Sequence, residues 1–215
     1  MTPFVRRWLQ AAAERIIAQA SELTELDARI GDGDHGINLA RGMSLVRGAL
    51  VDAPAAEPAG ELLRRSGRLL ISSVGGASGP LYGTLFLETG QAVGDADRLA
   101  VLGPALVHGV GGVGRRGRST VGQKTMLDTL VPAARALAAG GELSAAVERA
   151  IHAARIGCES TRDMVAQRGR ASYLGERAIG HLDPGAVSSR LLIEALATAV
   201  ASGQPPALTS IPPRR

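Results

Sequence analysis

A chain of 215 residues fits one compact domain, and 45% hydrophobic with 20% charged residues excludes both wholesale disorder and a small disulfide-stapled scaffold. The net charge of +4, from 24 basic and 20 acidic side chains, is too balanced for duplex binding by counter-ion release. Aromatics at 2% leave few platforms for stacking single-stranded bases, so no nucleic-acid partner is expected. Glycine, at 28 residues, is nearly twice its usual ~7% share and needs an explanation.

A single cysteine, Cys158, rules out an internal disulfide and any cysteine-based zinc site. It falls in an apolar helical stretch, as a small core residue would. Met1 to Ala20 carries Arg6, Arg7, Glu14 and Arg15 within its apolar pattern, which suits neither a signal peptide nor a spanning helix. A cytosolic protein with no membrane partner is the expectation.

Apolar residues recur at helical spacing almost throughout, and sustained alternation of period two is missing, so the chain reads as all-α. The pattern predicts a first helix over about residues 3–22. Leu39, Met43, Val46 and Leu50 mark a second, ended by the Pro- and Ala-rich turn from Asp52 to Gly60. Further helices are predicted over Leu62 to Ser73, Gly79 to Gly90, Leu99 to Val113, Lys124 to Ala139, Leu143 to about Arg168, and Ala186 to Ala201. Residues 1–203 form the expected domain, and the proline-rich stretch 204–215 is expected to be a disordered tail.

Eight helices with mostly short connections favour an antiparallel up-and-down bundle or barrel in which successive loops alternate between two ends. The loops with unusual chemistry then share one end: Leu26 to Asn38, Ser72 to Ser78, Gly111 to Thr125, and Gly169 to Gly185.

In the first of these loops Asp27, Asp32 and Asp34 are separated by glycines that let the backbone bend sharply. Three carboxylates in a tight loop suit a hard divalent cation such as Mg²⁺, although solvated turn residues would have the same spacing. Gly31 to Gly36 satisfies the letters of a dinucleotide fingerprint, yet no strand precedes it and its variable positions are acidic. A calcium loop begun at Asp32 would need glycine and glutamate where Ile37 and Met43 stand. His35 and Asn38 follow at a helix start, where free N–H groups and the helix dipole favour an anion.

Ser72 to Pro80 joins two helices through small residues whose backbone N–H groups can cradle phosphate oxygens, or let the helices approach closely. Gly117 to Thr125 resembles a phosphate-binding P-loop but has one residue too many before Lys124 and no preceding strand. His181-Leu-Asp183-Pro184-Gly185 is a strong turn signal at the same end. No side chain stands out as a nucleophile, with His35 the one candidate for a catalytic role. A metal site beside an anion cradle points to nucleotide binding or phosphoryl transfer.

Taken together, LDARIGDGDHG, ISSVGGASGPLYGT, GQKTMLD and GRASYLGERAIGHLDPGA resemble the nucleotide-binding L subunit (DhaL type) of dihydroxyacetone kinases, in four ordered blocks across most of the chain. The resemblance implies an eight-helix antiparallel barrel with Mg²⁺ and ADP or ATP bound at one end. It implies Asp27, Asp32 and Asp34 as Mg²⁺ ligands, and His35, Gly36, Ile37, Asn38, Ala77, Ser78, Gly117, Met126, Arg170, Asp183, Pro184 and Gly185 as the lining of the nucleotide site. It further implies a separate K-type subunit that holds the sugar, and either a phosphotransferase-system M subunit or ATP itself as phosphoryl donor; a homodimer is also compatible. Where the family commonly has Asp before Lys/Arg-Thr-Met, this chain has Gln123.

Overall fold

The computed structural model describes residues 1–201; the expected tail at 204–215 and the last two residues of the expected domain lie outside them. Among the described residues there are nine α-helices and no strand: α1 (Thr2–Ala18), α2 (Ala20–Ile30), α3 (His35–Asp52), α4 (Ala59–Ser73), α5 (Ser78–Val93), α6 (Leu102–Gly117), α7 (Met126–Ala138), α8 (Leu143–Ser160) and α9 (Pro184–Ala201). Eight of them close a ring in which α1 packs on α3, each of α3 to α8 packs on its successor, and α9 returns to α1. The all-α barrel read from the sequence is therefore the fold, and α2 is a ninth helix laid outside the ring against α3 and α9.

Three boundaries differ most from the sequence reading. The expected fifth helix continues past Val113 to Gly117, so the first half of the expected Gly111 to Thr125 loop is helical. The predicted first helix breaks at Gln19 (φ −103°, ψ 17°) and helical structure resumes to Ile30, so Asp27 is helical rather than part of a loop. Leu23, Leu26 and Ile30 carry the spacing that marks this helix. The long predicted seventh helix stops at Ser160. There the hydroxyls of Ser160 and Thr161 donate to the carbonyls of Gly157 and Cys158, and the Thr161 carbonyl accepts from the Lys124 ammonium, competing with continuation of the helical ladder.

Much of the glycine surplus sits inside helices, where the sequence reading had looked chiefly to loops. On the facing sides of α4 and α5, a Cβ at Gly60 would lie 2.3 Å from the Gly94 carbonyl oxygen, and one at Gly90 would lie 2.5 Å from that of Gly60. Gly67 and Gly83 face each other in the same way. Glycine at these heptad-spaced positions lets two backbones meet at a distance that any side chain would forbid.

The core is built from aliphatic side chains with Phe4, Trp8, Tyr82 and Phe86 buried among them, leaving Tyr173 as the exposed aromatic. Trp8 on α1 donates its indole N–H to the Leu192 carbonyl on α9 at 2.9 Å and meets Phe86 of α5 edge to face at 6.2 Å between centroids. It thus ties the closing seam of the ring to the opposite wall. Trp8→Ala is expected to lower unfolding free energy by about 3–5 kcal/mol, read from urea unfolding followed by circular dichroism.

Candidate functional site

Alternation around the ring brings the N-termini of α3, α5, α7 and α9 to one end. Each leaves unsatisfied N–H groups and a partial positive charge. Three are capped by buried or part-buried aspartates. Asp27 Oδ2 accepts from the N–H groups of Asp34 at 2.9 Å and His35 at 3.1 Å at the start of α3. Asp128 Oδ2 accepts from Thr125 N at 2.7 Å ahead of α7, while Leu127 N donates to Thr125 Oγ1 at 3.2 Å. Asp183 Oδ2 accepts from Ala186 N at 2.7 Å in the first turn of α9. The fourth N-terminus, at Ala77 and Ser78 of α5, has no side-chain cap among the described residues.

The acidic turn is drawn in by the first of these caps. One carboxylate oxygen from each of Asp27, Asp32 and Asp34 lies within 4.8 Å of the others. Asp27 is buried while Asp32 and Asp34 are exposed. Gly33 takes φ +73° in the connection, the left-handed conformation that glycine adopts without penalty. Arg170 Nε stands 2.9 Å from Asp32 Oδ2. The all-oxygen donor set, with two members open to solvent, fits a hard divalent cation that keeps positions for oxygens from a bound ligand.

Two cavities adjoin at this end. The smaller, about 150 Å³, is bounded by the three aspartates, His35, the α5 N-terminus, Arg168, Gly169, Arg170, Asp183 and Pro184. The larger, about 400 Å³, shares His35, Ala77, Ser78, Arg168, Gly169, Asp183 and Pro184 and extends past Gly117, Lys124 and Met126 to an apolar wall of Pro80, Leu81 and Val113. The shape is a polar, acidic pocket opening into a longer, partly apolar one.

His35 sits between them with both ring nitrogens engaged: Nδ1 is 2.8 Å from Ser78 Oγ and Nε2 is 2.9 Å from Ser188 Oγ. Burial pulls its pKa below the ordinary histidine value despite the nearby Asp27 and Asp34. Tyr82 OH closes the network at 2.6 Å from Ser188 Oγ and 2.9 Å from Ser189 Oγ. The imidazole is held by serines on α5 and α9, an arrangement that orients those helix ends and leaves neither nitrogen free.

Of the residues expected at the site, Asp27, Asp32, Asp34, His35, Ala77, Ser78, Gly117, Met126, Arg170, Asp183, Pro184 and Gly185 line one or both cavities. Gly36, Ile37 and Asn38 do not. Gly36 is buried where α3 crosses α2, and a Cβ there would lie 2.0 Å from the Ala20 carbonyl oxygen. Ile37 is 62% exposed on the outer face of α3, and Asn38 accepts from Arg41 at 3.1 Å. A helix turns by about 100° per residue, which carries Gly36 and Ile37 off the His35 face, while the Asn38 side chain is taken up by Arg41. The cavity wall also includes Pro80, Leu81, Val113, Arg116, Ser119 and Thr125, which lie on helix ends and short connections whose meeting no local motif announces. Gln123 accepts from Thr120 N at 3.1 Å and donates to Gln167 Oε1 at 3.3 Å, where a carboxylate could make only the first of these bonds.

The fold and this end-on site define an antiparallel helical-barrel domain with a polar, acidic site at one end, and residues 29–198 match the DAK2 domain family. The chain is 44% identical over 192 residues to the "PEP-dependent dihydroxyacetone kinase 1, ADP-binding subunit DhaL" of Listeria innocua, covering 88% of this chain and 92% of the relative. It is 42% identical over 198 residues to the corresponding Escherichia coli subunit, covering 89% of this chain and 94% of that one. The chain belongs to the DAK2 domain family, as a DhaL-type member. The crystal structure of the dihydroxyacetone kinase from C. freundii in complex with AMP-PNP and Mg²⁺ superposes with a TM-score of 0.73 at 27% identity, over 90% of this chain and 33% of that one. This chain thus spans about one third of that solved enzyme.

Asp183 provides a pH signature. Its burial pushes its pKa up to about 7, against the opposing effects of the Ala186 N–H and the Lys124 ammonium. An acid whose folded-state pKa lies above its unfolded value binds more protons when folded, so its contribution to stability falls as pH rises between the two. Stability of the free chain is expected to decline through this group from pH 4 to 7, and Asp183→Asn is expected to flatten that part of the profile in urea titrations at stepped pH.

Proposed function

We propose that this chain is the nucleotide-binding subunit of a dihydroxyacetone (short ketose) kinase, carrying Mg²⁺ and ADP or ATP at the open end of the barrel and working with a K-type subunit that presents the sugar. The observation that carries this reading is the acidic triad set against an uncapped helix N-terminus in a pocket of about 150 Å³ that adjoins a cavity of about 400 Å³. An uncapped helix start offers N–H groups and positive potential to a phosphate. Pro80 in the same first turn, which has no N–H, leaves one donor fewer to satisfy.

Asp27, Asp32 and Asp34 would hold Mg²⁺, which when bound neutralises phosphate charge. The α5 N-terminus orients the phosphates, the Asp183 to Gly185 turn closes the opposite side, and Leu81, Val113 and Met126 receive the base without aromatic stacking. His35 fixes Ser78 and Ser188 in place and is not the nucleophile. Phosphoryl transfer needs little more than such positioning and charge neutralisation, with the terminal phosphoryl group passing to a hydroxyl of the ketose.

The relatives' description as ADP-binding subunits of PEP-dependent kinases favours ADP that stays bound and is recharged by a phosphotransferase-system M subunit. The AMP-PNP complex of the C. freundii enzyme supports the other scheme, direct use of ATP.

Asp32→Asn is expected to weaken Mg·ADP binding at least about 10-fold, equivalent to ~1.4 kcal/mol, with far-ultraviolet circular dichroism unchanged. Calorimetric affinity equal to wild type would remove the metal assignment. Mixing the wild-type chain with a K-type subunit and radiolabelled donor is expected to label dihydroxyacetone or a related triose or tetrose. A stable complex that transfers no label would instead define a nucleotide-loaded regulatory module.

A further inference from the structure

We infer that Lys124 is a positioning residue: its buried ammonium pins the crossover between α8 and α9 onto the loop ahead of α7, and so holds Arg168, Arg170 and Asp183 at the cavity. The inference rests on reading that cavity as the nucleotide site.

Lys124 is the only lysine of the chain and is 1% exposed. A buried ammonium is tolerated only where its N–H groups are met. Here Nζ donates to the carbonyls of Thr161 and His181, which stand near the two ends of the 161–183 crossover. One cation therefore closes a loop of some twenty residues at its base. The backbone of Lys124 is itself in the left-handed region, at φ +58°, where a residue with a Cβ is disfavoured. Glycine would take that conformation freely but would bring no ammonium. Strain of this kind persists where the surrounding contacts over-determine it.

Most of the crossover's apolar support is a small cluster in which Ala166, Ala171 and Ala178 meet Ile30 of α2, separate from the main core that Leu182 touches. Its other tethers are the Gln167 N–H to the Gln123 carbonyl at 3.1 Å and the Gly180 N–H to the Arg162 carbonyl at 2.8 Å, the Gln123 to Gln167 side-chain bond at 3.3 Å, the Arg162 guanidinium to the Gly180 carbonyl at 3.3 Å, the Asp183 N–H to Thr161 Oγ1 at 3.1 Å, and the solvent-exposed Arg170–Asp32 pair at 2.9 Å, which exposure makes weak. A segment with few buried apolar contacts opens locally at small cost, and the pair of bonds from Lys124 is the tether made by a buried charge, which screening by solvent does not weaken.

Lys124→Met keeps the apolar stem and removes the ammonium. In the full-length variant, hydrogen exchange across 164–182 is expected to accelerate while α1 and α5 keep their protection. Mg·ADP is expected to bind at least about 10-fold more weakly by calorimetry. A purely structural role would instead raise exchange throughout the barrel and leave the folded fraction's affinity unchanged. Affinity within about two-fold of wild type, with exchange at 164–182 unaltered, overturns the inference. A wild-type chain that fails to bind Mg·ADP defeats the nucleotide reading, and exchange at 164–182 then still decides whether Lys124 is the pin. Should the variant not fold, wild-type chain answers through its single side-chain amine. Acylation at Lys124, followed by mass spectrometry, is expected to be at least about 100-fold slower in the native chain than in urea, and comparable rates overturn the inference.

Discussion

A closed ring of helices joined by short connections reverses direction at each step, and in this chain the reversal sets the N-termini of α3, α5, α7 and α9 side by side. Four like partial charges and their free N–H groups cannot be left together without partners. Asp27, Asp128 and Asp183 answer three of them from within the protein. The fourth, at α5, is answered by no side chain among the described residues, and both cavities open against it. The binding end of the barrel is thus a consequence of helix polarity, with one position left to a ligand.

Asp27 connects that polarity to the acidic triad. It lies in the last turn of α2, outside the ring, and reaches across to the first N–H groups of α3. The bonds that cap α3 also hold the Asp32 to Asp34 turn against the barrel. Gly36 allows α2 and α3 to approach at that crossing. The residue thereby serves the placement of a carboxylate, and it does so by its lack of a side chain, with no contact to either cavity.

The same economy of side chains explains how a barrel so rich in glycine holds together. Where α4 meets α5, backbone lies against backbone, and dispersion between close surfaces replaces side-chain interdigitation. The few aromatics are correspondingly placed where volume is needed, with Trp8 spanning from the closing seam to α5. At the site itself the crossover between α8 and α9 relies on polar tethers, among them the buried ammonium of Lys124, because apart from Leu182 its apolar contacts form a small satellite cluster.

Helical periodicity made the ring helices and the gathering of four loops at one end legible, because burial of an apolar stripe repeats every three to four residues along the chain itself. The aspartates, Ala77, Ser78 and the Asp183 to Gly185 turn were legible for a related reason: each lies in a local run whose residue types already suit a cation, an anion or a turn. What the sequence could not carry was any relation between distant segments. That Gly36 serves a crossing, that His35 is held by Ser78 and Ser188, and that Lys124 bonds to Thr161 and His181 follow from contacts across tens of residues. Those contacts exist only once the ring has closed, since it is closure that brings the α3, α5, α7 and α9 ends within hydrogen-bonding reach.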